Sequence, residues 1–317
     1  MKIFTNPNYD FVRWRWHAIA LSLVVILAGA IMIATRGLQK GVDFEGGTIV
    51  ITHFAQPTEL GRIRDLFGGD AVIQQYGESS KNEIMIRVKR TGPETAGNLS
   101  AEADKVVATL KQANVGSFDV IGTEIVGPIV GEQLRKQGLL ATVLAMAGIM
   151  LYIGLRFQFS FAVGAIIATL HDILVCLTFL AFFRYDITLN VVAGLLTITG
   201  YSVNDTIVIF DRVRENMRGM RRDDLSTIVN TAVNQTLSRT IITAGTTLLS
   251  VTALYVFGGE VLKGFAFTML VGIISGTYST VFIAASLAIV FQGRRRLKGQ
   301  PAAPVSAPAR PSRRRAS

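Results

Sequence analysis

Six stretches of this sequence run without Lys, Arg or a free acid for the length of a membrane crossing: residues 17–35, 137–155, 157–183 (interrupted only at His171 and Asp172), 187–204, 240–259 and 264–293. A helix needs about 20 apolar residues to span a bilayer. In hydrocarbon only a segment that satisfies its own backbone hydrogen bonds is viable. The runs therefore predict an α-helical polytopic membrane protein with six transmembrane helices. Composition agrees, at 50% hydrophobic, 17% charged and a mean hydropathy of +0.42, outside the range of ordinary soluble domains. The first run follows Lys2, Arg13 and Arg15, as a secretory signal core would. Its 19 residues, His17–Thr35, exceed the roughly 7–15 of such a core, so a retained span is expected, with a cleaved signal as the alternative.

Basic residues near the span ends set the expected orientation. With residues 1–16 cytoplasmic, the inner side carries Arg13, Arg15, Arg156, Arg212, Arg214, Arg218, Arg221, Arg222, Arg239 and the tail. A cytoplasmic loop is expected at about 211–238, holding the amphipathic stretch DLSTIVNTAVNQTL on the membrane surface. The tail, 294–317, contributes +8 of the formal net charge of +10 and contains no acid. Rich in Pro, Ala and Ser, it predicts a disordered cytoplasmic segment attracted to anionic membrane lipid, with no specific nucleic-acid role. Cys176, the one cysteine, lies within a span, so neither a disulfide nor a cysteine-based metal site can be built in one chain.

Residues 36–136 form the one sizeable non-membrane piece, 101 residues with 12 basic and 13 acidic side chains. GGTIVITHF predicts a strand and PTELGRIRDLF a helix with Pro57 near its start. AVIQQY and EIMIRVKR predict two strands about the turn GESSKN. SAEADKVVATLKQA predicts a helix with Ser100 as N-cap, and SFDVIGTEIVG a last strand. The order β-α-β-β-α-β is that of a ferredoxin-like α+β domain. It carries no catalytic constellation, so binding or transmission is expected of it.

Asp205 is the exception to the apolar rule. It stands in GYSVNDTIVIFDRVREN, inside the fourth span, where an ionisable group is costly and marks either an ion pathway or a pairing partner. Gly194, Ile198, Tyr201, Asp205 and Arg212 share one helical face, directed inward, with Val203 and Ile207 on the lipid side. Arg239 opens a polar stripe on the fifth span with Thr243, Thr246 and Ser250. An Asp205–Arg239 pair is expected, with Tyr201, Asn204, Thr243, Thr246 and Ser250 as the supporting polar face. Two readings of the pair stand, a proton site and a structural clamp. His171 and Asp172 are expected to cap a packed helix interface. Thr268, Gly272, Gly276 and Thr280 recur every fourth residue on the sixth span and predict a close helix contact.

GVDFEGGT after the first span, GYSVNDTIVIFDRVREN in the fourth and NQTLSRTIITAGTTLL in the fifth together resemble the SecD/SecF family of bacterial protein-export membrane proteins, of the resistance-nodulation-division superfamily. The resemblance reaches to about residue 293. It implies a non-enzymatic subunit of the bacterial inner membrane that pairs with SecD as a heterodimer and associates with the SecYEG channel, YajC and YidC. Such a pair draws on the proton motive force to assist translocation of unfolded preprotein after SecA-driven insertion, with the proton as coupling ion and no cofactor. Asp205 matches the family's proton-pathway aspartate and Arg239 its paired arginine. Gly46 and Gly47 permit either a hinge or a tight turn at the entry to the domain. Two rival readings stay open, a passive membrane scaffold and half of a small-molecule proton antiporter.

Overall fold

The computed structural model describes residues 7–67, 71–77, 79–88 and 101–291. In chain order the elements are α1 (Arg15–Arg36), α2 (Val42–Glu45), β1 (Gly47–Phe54), α3 (Leu60–Phe67), β2 (Ala71–Gln75), β3 (Glu83–Val88), α4 (Ala101–Gln112), β4 (Phe118–Val126), α5 (Pro128–Arg156), α6 (Phe159–Phe182), α7 (Leu189–Gly219), α8 (Leu225–Phe257) and α9 (Glu260–Ser279). A π-helical turn, Thr280–Ala284, carries α9 on to Phe291. Six helices, α1 and α5–α9, are long and apolar enough to cross a membrane.

The domain between α1 and α5 is a four-stranded sheet in the order β2-β3-β1-β4, with the three strand pairs antiparallel. That order, with one helix after β1 and one after β3, is the ferredoxin-like arrangement. Strand alternation explains its two cores. Val50, Phe54, Ile84 and Ile86 face α3 and α4, meeting Ile63, Val106 and Leu110. Ile49, Ile51 and Met85 point the other way and pack with Val42 of α2. Ser100, the expected N-cap, and Lys89 and Arg90, the end of an expected strand, lie outside the described residues, as does the tail at 294–317.

Three boundaries differ from expectation. Residues 128–136, assigned to the domain, are the first turns of α5. Gly127 is extended and Pro128 starts the helix, where its missing N–H would have had no helical partner. Residues 211–238, expected as a loop, are helical except at the turn 220–224 between α7 and α8. The stretch expected as a separate surface helix is the start of α8, because Ile228, Val229, Ala232 and Val233 are buried against Phe210 and Val213 of α7. Val203, expected to meet lipid, is buried in the same cluster.

The small-residue face of α9 packs on α7 in a constant register. A Cβ on Gly194 would lie 3.3 Å from Thr268, one on Gly272 would lie 2.4 Å from Ile198 Cγ1, and one on Gly276 would lie 3.2 Å from Ser202. The next step is a hydroxyl contact, Thr206 Oγ1 to Thr280 Oγ1, at 3.1 Å. The pairs 194/268, 198/272, 202/276 and 206/280 keep one sequence offset of 74, so α7 and α9 run parallel, one four-residue rung at a time.

Two joints fasten the rest. Tyr9 N–H donates to Asn234 Oδ1 at 2.8 Å, Asn234 Nδ2 returns a bond to Tyr9 O at 2.8 Å, and Phe11 N–H donates to Asn230 Oδ1 at 2.9 Å. These bonds stitch the lead-in of α1 to α8. At the domain side, Gly41 N–H donates to Ile187 O at 2.8 Å and Ile187 N–H to Gln39 O at 2.7 Å. Asp43 Oδ2 accepts from Leu189 N–H at 2.9 Å, adding a carboxylate to the α7 N-terminus already capped by Thr188. Gly46 (φ +71°) and Gly47 (φ +135°) turn the chain from α2 into β1, both in the left-handed region that side chains avoid. Gly131 of α5 backs the turn, where a Cβ would meet Gly46 N at 3.0 Å.

Candidate functional site

Asp205 lies within α7 and is 8% exposed. Its Oδ1 accepts a 2.8 Å hydrogen bond from Thr240 Oγ1 of α8. Its Oδ2 is buried and has no hydrogen-bond partner among the described residues. An unsatisfied carboxylate oxygen in a span is expensive, and such a group calls for an explanation beyond packing.

Arg239 is not that partner in this arrangement. It is exposed, and no ion pair joins it to Asp205 among the described residues. Successive residues stand about 100° apart around a helix. Of these two neighbours it is Thr240 that reaches Asp205. The expected direct pair is therefore corrected to Asp205–Thr240, with Arg239 on the adjoining surface.

The supporting face divides the same way. Tyr201 is half-buried beside Ala244 and Leu248, and Asn204 is exposed. Thr243, Thr246 and Ser250 are exposed and bond back along their own helix, to Arg239 O at 3.0 Å, Ile242 O at 2.9 Å and Thr246 O at 3.2 Å. Arg239, Thr243, Thr246, Ser250 and Asn204 thus form a polar surface on the outside of this chain, next to the buried acid. Asp205 itself sits inside, as its helical face predicted.

The second acid is not a simple interface cap. Asp172 of α6 is 1% exposed and makes four polar contacts, three of them with serine donors. Ser202 Oγ of α7 donates to Oδ2 at 2.6 Å and Ser279 Oγ of α9 to the same atom at 2.8 Å. Ser275 Oγ donates to Oδ1 at 2.8 Å, and His171 Nδ1 lies 3.0 Å from that oxygen. His171 Nε2 in turn lies 2.9 Å from Ser22 Oγ of α1. The two residues belong to one centre joining four helices. Thr240 and these serines were missed by sequence reading. The signal available for the serines was their spacing, Ser275/Ser279 and Ser202/Thr206, each pair one turn apart on facing helices.

Spanning helices around buried acids, with a βαββαβ domain between the first two, define a multi-pass membrane protein of the transport class. A family model for the C-terminal part of the protein export membrane proteins SecD/SecF matches residues 105–294, and one for the SecD/SecF GG motif matches residues 31–58. The protein translocase subunit SecF of Koribacter versatilis is 36% identical over 97% of this chain and 98% of its own length. That of Pseudomonas aeruginosa is 43% identical over 87% of this chain and 89% of its own. The crystal structure of SecDF, a translocon-associated membrane protein from a Thermus species, superposes with a TM-score of 0.80 at 31% identity. It covers 91% of this chain, which spans only 39% of that one. SecDF in a super-membrane-facing form gives a TM-score of 0.68. The chain belongs to the SecD/SecF family of protein export membrane proteins, in its SecF branch. It is a transport subunit, of a family without catalytic activity.

Proposed function

We propose that this chain works with SecD to couple the proton motive force to export of unfolded preprotein, and that Asp205 is the group that takes up and releases the proton. The observation that carries this reading is the unpartnered Oδ2 of Asp205, buried one helix away from an exposed polar surface. A polar face turned to lipid is unfavourable, and a second bundle laid over Arg239, Thr243, Thr246 and Asn204 would cover it. The length comparison supports SecD as that bundle, since the chain accounts for 39% of the SecDF chain it resembles.

Under this reading Asp205 alternates between two states. Ionised, it draws Arg239 toward it; protonated, it releases Arg239 and keeps the Thr240 bond. Each proton crossing the membrane supplies about 2.3 kcal/mol per 100 mV, enough to bias two helix packings. The domain, on the outer side, receives the motion through α1, α2 and the Gly46–Gly47 turn. The N-terminus and the tail are cytoplasmic, and SecYEG, YajC and YidC are the further partners.

Asp205→Asn tests the reading. The variant should insert, accumulate and co-purify with SecD, yet lose the part of export that responds to the proton gradient. Wild-type export in cells lacking the native copy would reject Asp205 as the proton carrier. A scaffold, by contrast, would tolerate Asn.

A further inference from the structure

The Asp172 centre goes beyond the role given to Asp205. A carboxylate offers about four lone-pair sites. In Asp172 all four are occupied, by Ser202, Ser279, Ser275 and His171. The three serines each donate to the acid, and His171 Nδ1 donates or accepts according to its tautomer. A proton placed on Asp172 needs an acceptor, and one of the donors must turn round to provide it.

Ser279 is built to do so. Its Oγ lies 2.8 Å from Asp172 Oδ2 and 3.2 Å from Gly276 O, one turn back on its own helix. Swinging its hydrogen to Gly276 O leaves a lone pair free to accept from a protonated Asp172. The swing falls at the entry to the π-helical turn Thr280–Ala284, a distortion that occurs often at functional sites. From Asp172 the chain of polar atoms runs through His171 to Ser22 Oγ at 2.9 Å, then to Tyr278 OH at 3.2 Å, which donates to Ala18 O at 2.6 Å. Histidine carries a proton on one ring nitrogen while accepting at the other, which suits it to such a relay.

The titratable groups facing Asp172 are His171 and Cys176 on α6 and Tyr278 on α9. α1 and α7 contribute only the Ser22 and Ser202 hydroxyls, and the nearest acid on α7 is Asp205, one turn past Ser202. Asp172 therefore shares with Asp205 a single segment of α7, gripped at Ser202 by one acid and at Asp205 by Thr240.

We propose that the His171–Asp172 centre is a second proton-binding site of this chain, and that proton uptake there reverses the hydrogen bond between α6 and α9 at Ser279. The proposal rests on the proton-coupled reading of Asp205 and adds a second station on the same helix. The proton enters on Asp172 as a new O–H, the Ser279 hydrogen moves to Gly276 O, and the Ser202 and Ser275 bonds remain. No other bond forms or breaks.

Infrared difference spectroscopy on the full chain co-purified with SecD, titrated across pH in membranes, is the direct test. A protonated buried carboxylic acid gives its own C=O band, which a purely structural carboxylate never shows. Two such bands are expected to titrate. Asp205→Asn should remove one and Asp172→Asn the other, while Ser279→Ala should shift the midpoint of the Asp172 band without abolishing it. Asp172→Glu, which keeps the acid but displaces it, should retain a band with a shifted frequency and midpoint, and guards against a failure of Asp172→Asn to fold. If Asp172→Asn and Asp172→Glu leave the spectrum as in the wild type, the second site is refuted, whatever Asp205 does. If instead Asp205→Asn alone changes nothing in spectrum or export, the primary reading fails, and the Asp172 band, present or absent, is judged separately.

Discussion

Arg87 of β3 reaches across to Asp186, in the turn between α6 and α7, and closes an ion pair of 2.8 Å, its Nη1 also donating to Lys40 O at 2.9 Å. Arg87 is 6% exposed, and Asp186 lies outside the spans. The pair binds the sheet of the domain to the membrane bundle at a point where α2 and β3 meet the helix ends. Removing Arg87 leaves the half-buried Asp186 carboxylate without its countercharge, and the cost lies below the roughly 3–5 kcal/mol of breaking a fully buried pair. Arg87→Met should therefore loosen the domain, seen as faster proteolysis between domain and bundle at neutral pH.

The same pair gives a pH signature. Burial pushes the Asp186 carboxyl above its ordinary range, and Arg87 pulls it part of the way back. A carboxyl raised on folding stabilises the fold most below the usual carboxylate range, and that contribution is lost as pH rises through the folded value. Arg87→Met removes the lowering partner, so the carboxyl should rise further. The loss of thermal stability in the variant should then shrink at mildly acidic pH relative to neutral pH. An equal loss at both would show that Asp186 is not the group left exposed to the change.

Gly272 sits on Ile198. A methyl there would approach the Ile198 side chain to 2.4 Å, with both branches of the isoleucine close by. Overpacking of this kind costs about 1–3 kcal/mol. Gly272→Ala should lower the melting temperature and the accumulated level of the protein. Gly148→Ala, with nothing within 4 Å of the added carbon, should not, since alanine is favoured over glycine inside a helix.

Among the described residues Thr240 supplies the one side-chain hydrogen bond to Asp205. Thr240→Val keeps the shape and leaves the carboxylate wholly unpartnered, a loss of about 1–3 kcal/mol. Thr240→Ser should restore it. Arg239 is a different kind of residue. As a helix-end anchor it would tolerate Lys; as the charge that approaches Asp205 it needs the planar fork of guanidinium. Arg239→Lys is expected to impair export while the protein still accumulates, and a silent Arg239→Lys would assign it to anchoring.

Topology follows from charge. A reporter at Ser80 is expected outside the cell membrane and one at Arg221 inside it, as the basic residues around 212–222 require. The reverse result would overturn the orientation and, with it, the side on which the domain meets substrate.

Much of this was legible in the sequence because apolar length and small-residue spacing act locally. The six runs named the six spans, and the Thr268–Gly272–Gly276–Thr280 repeat named the face of α9 that packs on α7. The βαββαβ succession of the domain followed from the strand and helix patterns along the chain. Failures came where a choice depends on rotation about a helix or on a distant neighbour. Arg239 and Thr240 are adjacent in sequence, and only the approach of α8 to α7 decides which one meets Asp205. Val203 read as lipid-facing, yet the assembled bundle buries it in its main apolar cluster. The Asp172 centre gathers residues from four helices and so had no linear signature, although each serine was in plain view.

The stitch between Tyr9 and the two asparagines of α8 makes the start of the chain a lever arm. Asn230 and Asn234 grip the backbone on the approach to α1, and α8 carries Arg239 barely one turn further along. A tilt at the foot of α8 therefore tugs directly on the foot of α1, bypassing the packed middle of the bundle. At its far end α1 leads into Gly41, hooked to Ile187 beside the start of α7. The fulcrum of that arm is the contact of Gly29 with Thr178, where an added carbon would fall 1.9 Å from the threonine oxygen. Tension entering at the foot of α1 thus meets the bundle at Ser22 and again at Gly29 before it reaches the domain end.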